Sequence, residues 1–201
     1  MFAYSYKIEQ IMKTERKKEG GSIMIKIEKG HPDFKAFKFV LRAKSSDSIK
    51  SLFTCLFSDG ENAVCTDANR LHTIKLEREL LAGLYDVITS NTKEIVLNES
   101  TVDGQYPNYK QVMYKEKVNS QPLNEWNKRI HGASTLFDIM SKGICINPEY
   151  VKHACEDCGE LKVIIPDPEK VIIPELATSP VQITNNFGIA VIMPIQAKVA
   201  E

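Results

Sequence analysis

Twice along this chain the spacing of apolar residues changes from the alternation of a strand to the three-and-four spacing of a helix and back to strands. That pattern restricts the fold more than any other feature. Residues 24 to 28, Met-Ile-Lys-Ile-Glu, alternate as a half-buried strand does. From Pro32 to about Lys44 the apolar positions are Phe34, Phe37, Val40 and Leu41, while Lys35, Lys38 and Arg42 share the neighbouring face. This is an amphipathic helix with a basic stripe. A hairpin follows, with Ser51 to Phe57 and Ala63 to Cys65 as strands and Ser58-Asp59-Gly60 as the turn, because Asp-Gly supplies the positive φ of a tight reversal. Leu71 to Leu76 and Tyr85 to Leu97 continue as strands, the latter broken at Asn91. The second cycle opens with a strand at Gly143 to Ile146. A helix then runs from Pro148 to about Cys158, with Asn147 as N-cap, Pro148 at the first position and Gly159 as its end. Leu161 to Ile165, Val171 to Pro174 with Pro180 to Thr184, and Gly188 to Met193 are its strands. The prediction is an α+β fold of two βα(β)n half-units, 24–114 and 135–201, sharing one core with helices on one face of a largely antiparallel sheet. The polar stretch 115–134, which holds the single tryptophan Trp126, reads as a linker or an inserted helix.

Composition removes several function classes. With 26 basic and 26 acidic side chains in 201 residues the chain is not a wholly basic nucleic-acid binder, although a local basic face remains open. The longest nearly apolar run, Phe187 to Ile195, is about half of a bilayer crossing and contains Pro194, so no membrane span is expected. Five cysteines without a secretory leader read as reduced thiols in a cytoplasm. Residues 1–23 are an N-terminal extension with two readings. Lys18-Glu19-Gly20 is what a purine-rich ribosome-binding site spells when translated, which would make Met24 the natural start; alternatively residues 4 to 18 are a short surface helix. Cys155-Glu156-Asp157-Cys158 lacks the second closely spaced pair of a structural zinc site, and as a CxxC it closes a helix where a redox motif opens one. Cys155 is expected to pack inward and Cys158 to cap the helix end. No phosphate loop, HExxH or GxSxG occurs, so neither catalysis, metal nor cofactor is expected.

Three separated segments resemble the bacterial DNA polymerase III β subunit, the sliding clamp. Cys65-Thr66-Asp67-Ala68-Asn69-Arg70-Leu71 looks like its A-T-D-G-H-R-L strand end, and Asp103-Gly104-Gln105-Tyr106-Pro107-Asn108-Tyr109-Lys110-Gln111-Val112 like its D-G-R-F-P-D-Y-R-R-V interdomain connection. Val191-Ile192-Met193-Pro194-Ile195-Gln196 looks like its closing V-V-M-P-M-R, and Ile146-Asn147-Pro148-Glu149-Tyr150-Val151 is similar to its F-N-x-x-Y-V/L helix opening. The departures are Ala68 and Asn69 for the family's Gly and His, and Gln196 for its final arginine. A clamp subunit has three such domains and nearly twice this length, so the chain reads as a compact hybrid of a middle-domain opening half, the connection and a last-domain closing half.

The resemblance implies a noncatalytic DNA replication accessory, either a reduced processivity factor or a phage or mobile-element adaptor. The alternative is a clamp-fold protein-binding module or decoy that does not encircle DNA. In the family an apolar groove receives short peptides of polymerases and repair proteins. The matching positions here are Thr66, Arg70, Leu71, Pro107, Val112, Val191, Met193, Pro194 and Ile195, with Arg70 offering donors at the rim. Without the resemblance the same residues read as core and turn positions. Clamp helices also track the phosphates of double-stranded DNA without reading sequence, a role that Lys35, Lys38, Arg42, Lys44 and Lys152, with His153, would fill. Encirclement by so short a chain would require a homo-oligomer.

Overall fold

The computed structural model describes residues 17–19, 22–77, 80–114, 136–137, 139–141, 143–156, 161–164 and 179–195. Its strands are β1 (Lys17–Glu19), β2 (Ser22–Glu28), β3 (Leu56–Ser58), β4 (Asn62–Thr66), β5 (Arg70–Lys75), β6 (Gly83–Ser90), β7 (Glu94–Glu99), β8 (Leu161–Ile164), β9 (Val181–Asn185) and β10 (Ile189–Ile192). All join one ten-stranded sheet in the order β1-β2-β7-β6-β3-β4-β5-β10-β9-β8. Every ladder is antiparallel, as alternating apolar and polar strands favour. The helices α1 (Phe34–Leu41) and α2 (Pro148–Cys155) lie against β4, β5 and β7 and against β9 and β10. The predicted α+β layering therefore holds. The two predicted half-units meet where β5 pairs with β10, about 120 residues apart in sequence.

Strand alternation gives the sheet two different faces. One face, with Ala63, Cys65, Ile74, Ala190 and Ile192, packs against Phe37, Val40 and Leu41 of α1 and Val151 and Ala154 of α2 in the main core. His72 belongs to this face. Its ring stacks on Phe39 with centroids 4.5 Å apart, and Nδ1 donates to the Phe39 carbonyl at 2.8 Å. Burial pushes the His72 imidazole down to about 3, so it is neutral. On the opposite face Val64, Leu71, Tyr106, Tyr109 and Val191 form a second cluster.

Local chemistry explains where the elements depart from the predicted ones. Residues 51–54 form a 3-10 turn, and β3 is only Leu56–Ser58. The polar side chains here satisfy the backbone themselves: Thr54 Oγ1 donates to the Ser51 carbonyl at 2.7 Å, and Ser45 and Asp47 accept from the backbone two residues on. Gly143 to Ile146 is not a strand, and Gly143 stands at φ +79°. Ile144 and Ile146 are buried in the core as the alternation requires, yet among the described residues the segment makes one long-range backbone bond, Ile195 N–H to the Cys145 carbonyl at 2.8 Å. The hairpin turn is as expected, with Gly60 at φ +93° and Asp59 Oδ1 accepting from Glu61 and Asn62 N–H. Asn147 caps α2 by accepting from Glu149 N–H at 3.0 Å. Lys17 and Lys18, the last two residues of the surface-helix reading, form with Glu19 a strand paired with Ser22–Met24. The remainder of 1–23, the strand expected at Val171 to Pro174, Cys158 and the segment 115–134 lie outside the described residues. Cys155 is buried against the core and Cys145 is exposed.

Candidate functional site

The three family-like segments converge on one end of the β5–β10 ladder. Leu71 and Val191 are directly opposite one another, and Thr66 of β4 is opposite Leu71 on its other side. The loop between β4 and β5 is closed by its own side chains. Thr66 Oγ1 donates to the Arg70 carbonyl at 2.6 Å and accepts from Ala68 N–H at 3.1 Å, while Asp67 Oδ1 accepts from Asn69 and Arg70 N–H. Ala68 stands at φ +78°, a left-handed conformation that an L side chain disfavours and the family's Gly accepts freely. Met193 N–H donates to the Asn69 carbonyl at 2.8 Å, which fixes the tail of β10 to this loop. Pro194 follows; it has no N–H, and the ladder stops at Ile192.

The connection, residues 100–114, crosses the face away from the helices. Tyr106 stacks on Phe57 at 4.6 Å between centroids and meets Phe53 edge-on at 6.2 Å. Tyr109 is fastened to the β3–β4 turn: its hydroxyl donates to Asp59 Oδ2 at 2.8 Å, and Lys110 Nζ pairs with the same oxygen at 2.9 Å. Burial pushes the Asp59 carboxyl up, but Lys110, the Tyr109 hydroxyl and two backbone N–H groups outweigh it and hold Asp59 well below the usual carboxylate range. The far end is held by Tyr114, whose N–H donates to Gln182 Oε1 at 2.9 Å and whose hydroxyl donates to the Pro180 carbonyl at 2.8 Å.

This geometry divides the predicted groove residues. Leu71 and Val191, 7% and 2% exposed, lie beneath the connection in the second cluster. Val112, Met193 and Ile195, at 40%, 37% and 51%, are apolar and open to solvent; Pro107 is exposed and Pro194 half-buried. Arg70 does not join them. One residue before Leu71 in the strand, it points to the helix face, where its Nε meets Asp67 at 3.0 Å and its guanidinium lies 4.3 Å over the Tyr150 ring. Arg70 Nη1 lies 2.6 Å from His153 Nδ1. A guanidinium only donates, so Nδ1 accepts and the imidazole is neutral; burial, then the charges of Arg70 and Arg42, lower its pKa. Arg70 thus joins β5 to α2.

The basic residues share the helix side but are unequally free. Lys35 and Lys152 are exposed, Lys152 lying 3.5 Å from Glu149. Lys38 Nζ donates to the Ser90 hydroxyl at 3.2 Å, Lys44 Nζ to the Ser45 carbonyl at 3.3 Å, and Arg42 pairs with Glu156 at 3.0 Å while donating to the His153 carbonyl. Sequence reasoning missed the Arg70–His153–Tyr150 contact and the roles of Asp59 and Gln182. Only the strand parity of Arg70 against Leu71 signalled the first.

No protein-family profile matches the chain, and no curated protein matches it. Solved structures do. The DNA polymerase III β subunit of Borrelia burgdorferi, solved with a natural product, overlays with TM-score 0.56 at 10% identity, over 96% of this chain and 67% of that one. That of Thermotoga maritima overlays with TM-score 0.55 at 15% identity, over 92% and 68%. The chain has the sliding-clamp fold. The Helicobacter pylori β clamp bound to a DNA ligase peptide is a further structure of this fold, at TM-score 0.52 and 15% identity over 85% and 65% of the two chains. This clamp-fold chain spans about two thirds of the subunits it overlays. Among the described residues no helix is long and apolar enough to cross a membrane.

Proposed function

We propose that the chain is a noncatalytic clamp-like replication accessory whose working surface receives a short peptide from a polymerase or repair protein. The observation that carries this reading is the meeting of three sequence-distant segments: the Leu71–Val191 pair as a buried floor under Tyr106 and Tyr109 of the connection, with Met193 and Ile195 on the tail of β10 and Val112 on the connection as solvent-facing apolar groups. A clamp of the same fold binds a DNA ligase peptide, which supports the class of partner. Exposed Met and aliphatic side chains beside two prolines suit an extended peptide with apolar anchors, since Met adapts its shape and Pro holds the backbone open. A fluorescent peptide with Gln near its start and Leu or Phe near its end should bind with a micromolar dissociation constant, about −8 kcal/mol. Met193→Asp should abolish binding without unfolding the chain. Absence of binding at high micromolar peptide, or binding untouched by Met193→Asp, would refute the assignment.

Two readings of the DNA side follow from the helix face. A processivity factor would bind double-stranded DNA without sequence preference and close as a homo-oligomer, using Lys35, Lys38, Arg42, Lys44 and Lys152. A protein-binding module that does not encircle DNA is favoured by the engagement of Lys38, Arg42 and Lys152 with Ser90, Glu156 and Glu149. Retention on circular but not linear duplex distinguishes the first from the second, and the oligomeric state in solution must agree with the outcome.

A further inference from the structure

At the other end of the β5–β10 ladder the connection stands off the sheet and leaves a cavity of about 620 Å³, within the size range of small-ligand sites. Its floor is Asn62, Thr73, Lys75 and Ile189, and its outer wall is Tyr109, Met113 and Tyr114. Thr73, 4% exposed, stands on the connection face with Leu71 and Lys75, and its Oγ1 is buried without a hydrogen-bond partner among the described residues. A buried hydroxyl left unpaired costs about 1–3 kcal/mol, so native structures seldom keep one that nothing uses. Lys75, two residues on and therefore on the same side, is exposed and forms no ion pair among the described residues. Lys110 at the rim is committed to Asp59 and cancels that carboxylate. The cavity also depends on Gly188. A Cβ there would stand 2.1 Å from the Thr73 carbonyl oxygen, so only glycine lets the start of β10 close onto β5 beneath it.

We propose that this cavity is a second binding site, independent of the peptide surface, and that it takes an apolar carboxylate. The carboxylate accepts from the Thr73 hydroxyl and pairs with Lys75, satisfying the one polar atom the protein leaves buried and unpaired there. The aromatic or branched aliphatic body lies between Ile189 and the Tyr109, Met113 and Tyr114 side chains. Such a group is either a free acid or the last residue of another protein.

The test is an amide-resolved NMR titration of the full chain with 3-phenylpropionate, with 3-phenylpropionamide, and with a short peptide ending in Phe as the free acid or the amide. The acids should shift the Thr73, Lys75 and Ile189 resonances and bind at least about tenfold more tightly than the amides, the scale of one charge-assisted bond. Lys75→Met should erase that difference, and Thr73→Val should weaken the acids without lowering the melting temperature. Tighter binding of the peptide acid than of 3-phenylpropionate assigns the site to protein C-termini, and the reverse to a free acid. Equal binding of acid and amide, shifts centred on Met193 and Ile195, or no shift up to about 10 mM would overturn the proposal, as would Thr73→Val that melts lower yet binds the acid normally.

Discussion

The division of the candidate groove into a buried floor and an open rim makes Leu71→Ala and Met193→Ala behave oppositely. Leu71 is 7% exposed and enclosed by Val64, Tyr106, Tyr109 and its cross-strand partner Val191. Truncation removes three carbons, worth about 2.4 kcal/mol of transfer free energy at roughly 0.8 per methylene. The rigid tyrosine rings above cannot fall into the space, so a cavity contribution adds to it and the total is about 3 kcal/mol, inside the usual range for buried leucines. For a chain of this size that corresponds to a melting temperature lower by about 6–12 °C. Met193, 37% exposed, lies outside both packed clusters and loses little contact with the fold; its truncation should cost under about 1 kcal/mol and move the melt by no more than about 4 °C. The peptide should report the reverse order. Met193→Ala removes an anchor and should weaken binding about tenfold or more, whereas Leu71→Ala, assayed well below its melt, should weaken it by less than about threefold. Thermal melting by circular dichroism and peptide titration by anisotropy on the same preparations decide the matter. If Leu71→Ala melts with the unmodified protein, or Met193→Ala unfolds it while binding is unaffected, the floor-and-rim argument fails.

Ala68→Gly should raise the melting temperature, by about 0.5–1 kcal/mol of stability, because φ +78° strains alanine by more than glycine's extra unfolded-state entropy; a lower melt would contradict this. His72 should make the fold acid-sensitive. Its native pKa of about 3 lies below the unfolded 6.5, so the unfolded chain binds the extra proton between those values and stability falls as pH drops through that window, by at most about 1.4 kcal/mol per pH unit; His72→Leu melts should lose that part of the slope. Lys35→Glu should lower the salt dependence of any duplex binding by about one unit, whereas Lys38→Glu should also disturb its contact with Ser90; an unchanged slope for Lys35→Glu would remove that residue from the DNA face.

The architecture was legible in the sequence wherever one side of an element is buried against the core. Helix α1 lies within its predicted span, and β4, β5, β6, β7 and β10 fall within a few residues of theirs, because Val64, Ile74, Ile95 and Ala190 had to be inside. It was not legible where side chains compete with the backbone. Leu52, Phe53, Leu56 and Phe57 give Ser51 to Phe57 the apolar content of a strand, yet the side-chain oxygens of Ser45, Asp47 and Thr54 fold the part before Leu56 into turns. Periodicity also does not distinguish a segment such as Gly143 to Ile146, with one long-range backbone bond among the described residues, from a true ladder.

The site was legible to a different depth. Which segments meet could be read from the resemblance, since β5 and β10 do pair Leu71 with Val191. How each side chain is spent could not, because neighbours in sequence lie on opposite faces of the sheet. Thus Arg70, adjacent to Leu71, serves α2 through Tyr150 and His153, while Leu71 sits under the connection. The same parity brings Leu71, Thr73 and Lys75 onto one face, so the buried floor of the proposed peptide surface and the polar floor of the cavity are successive steps of one strand. The connection covers that strand unevenly. Tyr106 and Tyr109 close over Leu71, and the outer wall at Tyr109 to Tyr114 stands clear of Thr73. What separates a packed cluster from a cavity along β5 is therefore the anchoring of the connection at Asp59 and at Gln182, two polar residues whose partners lie 50 and 68 positions away and leave no periodic signal in the sequence.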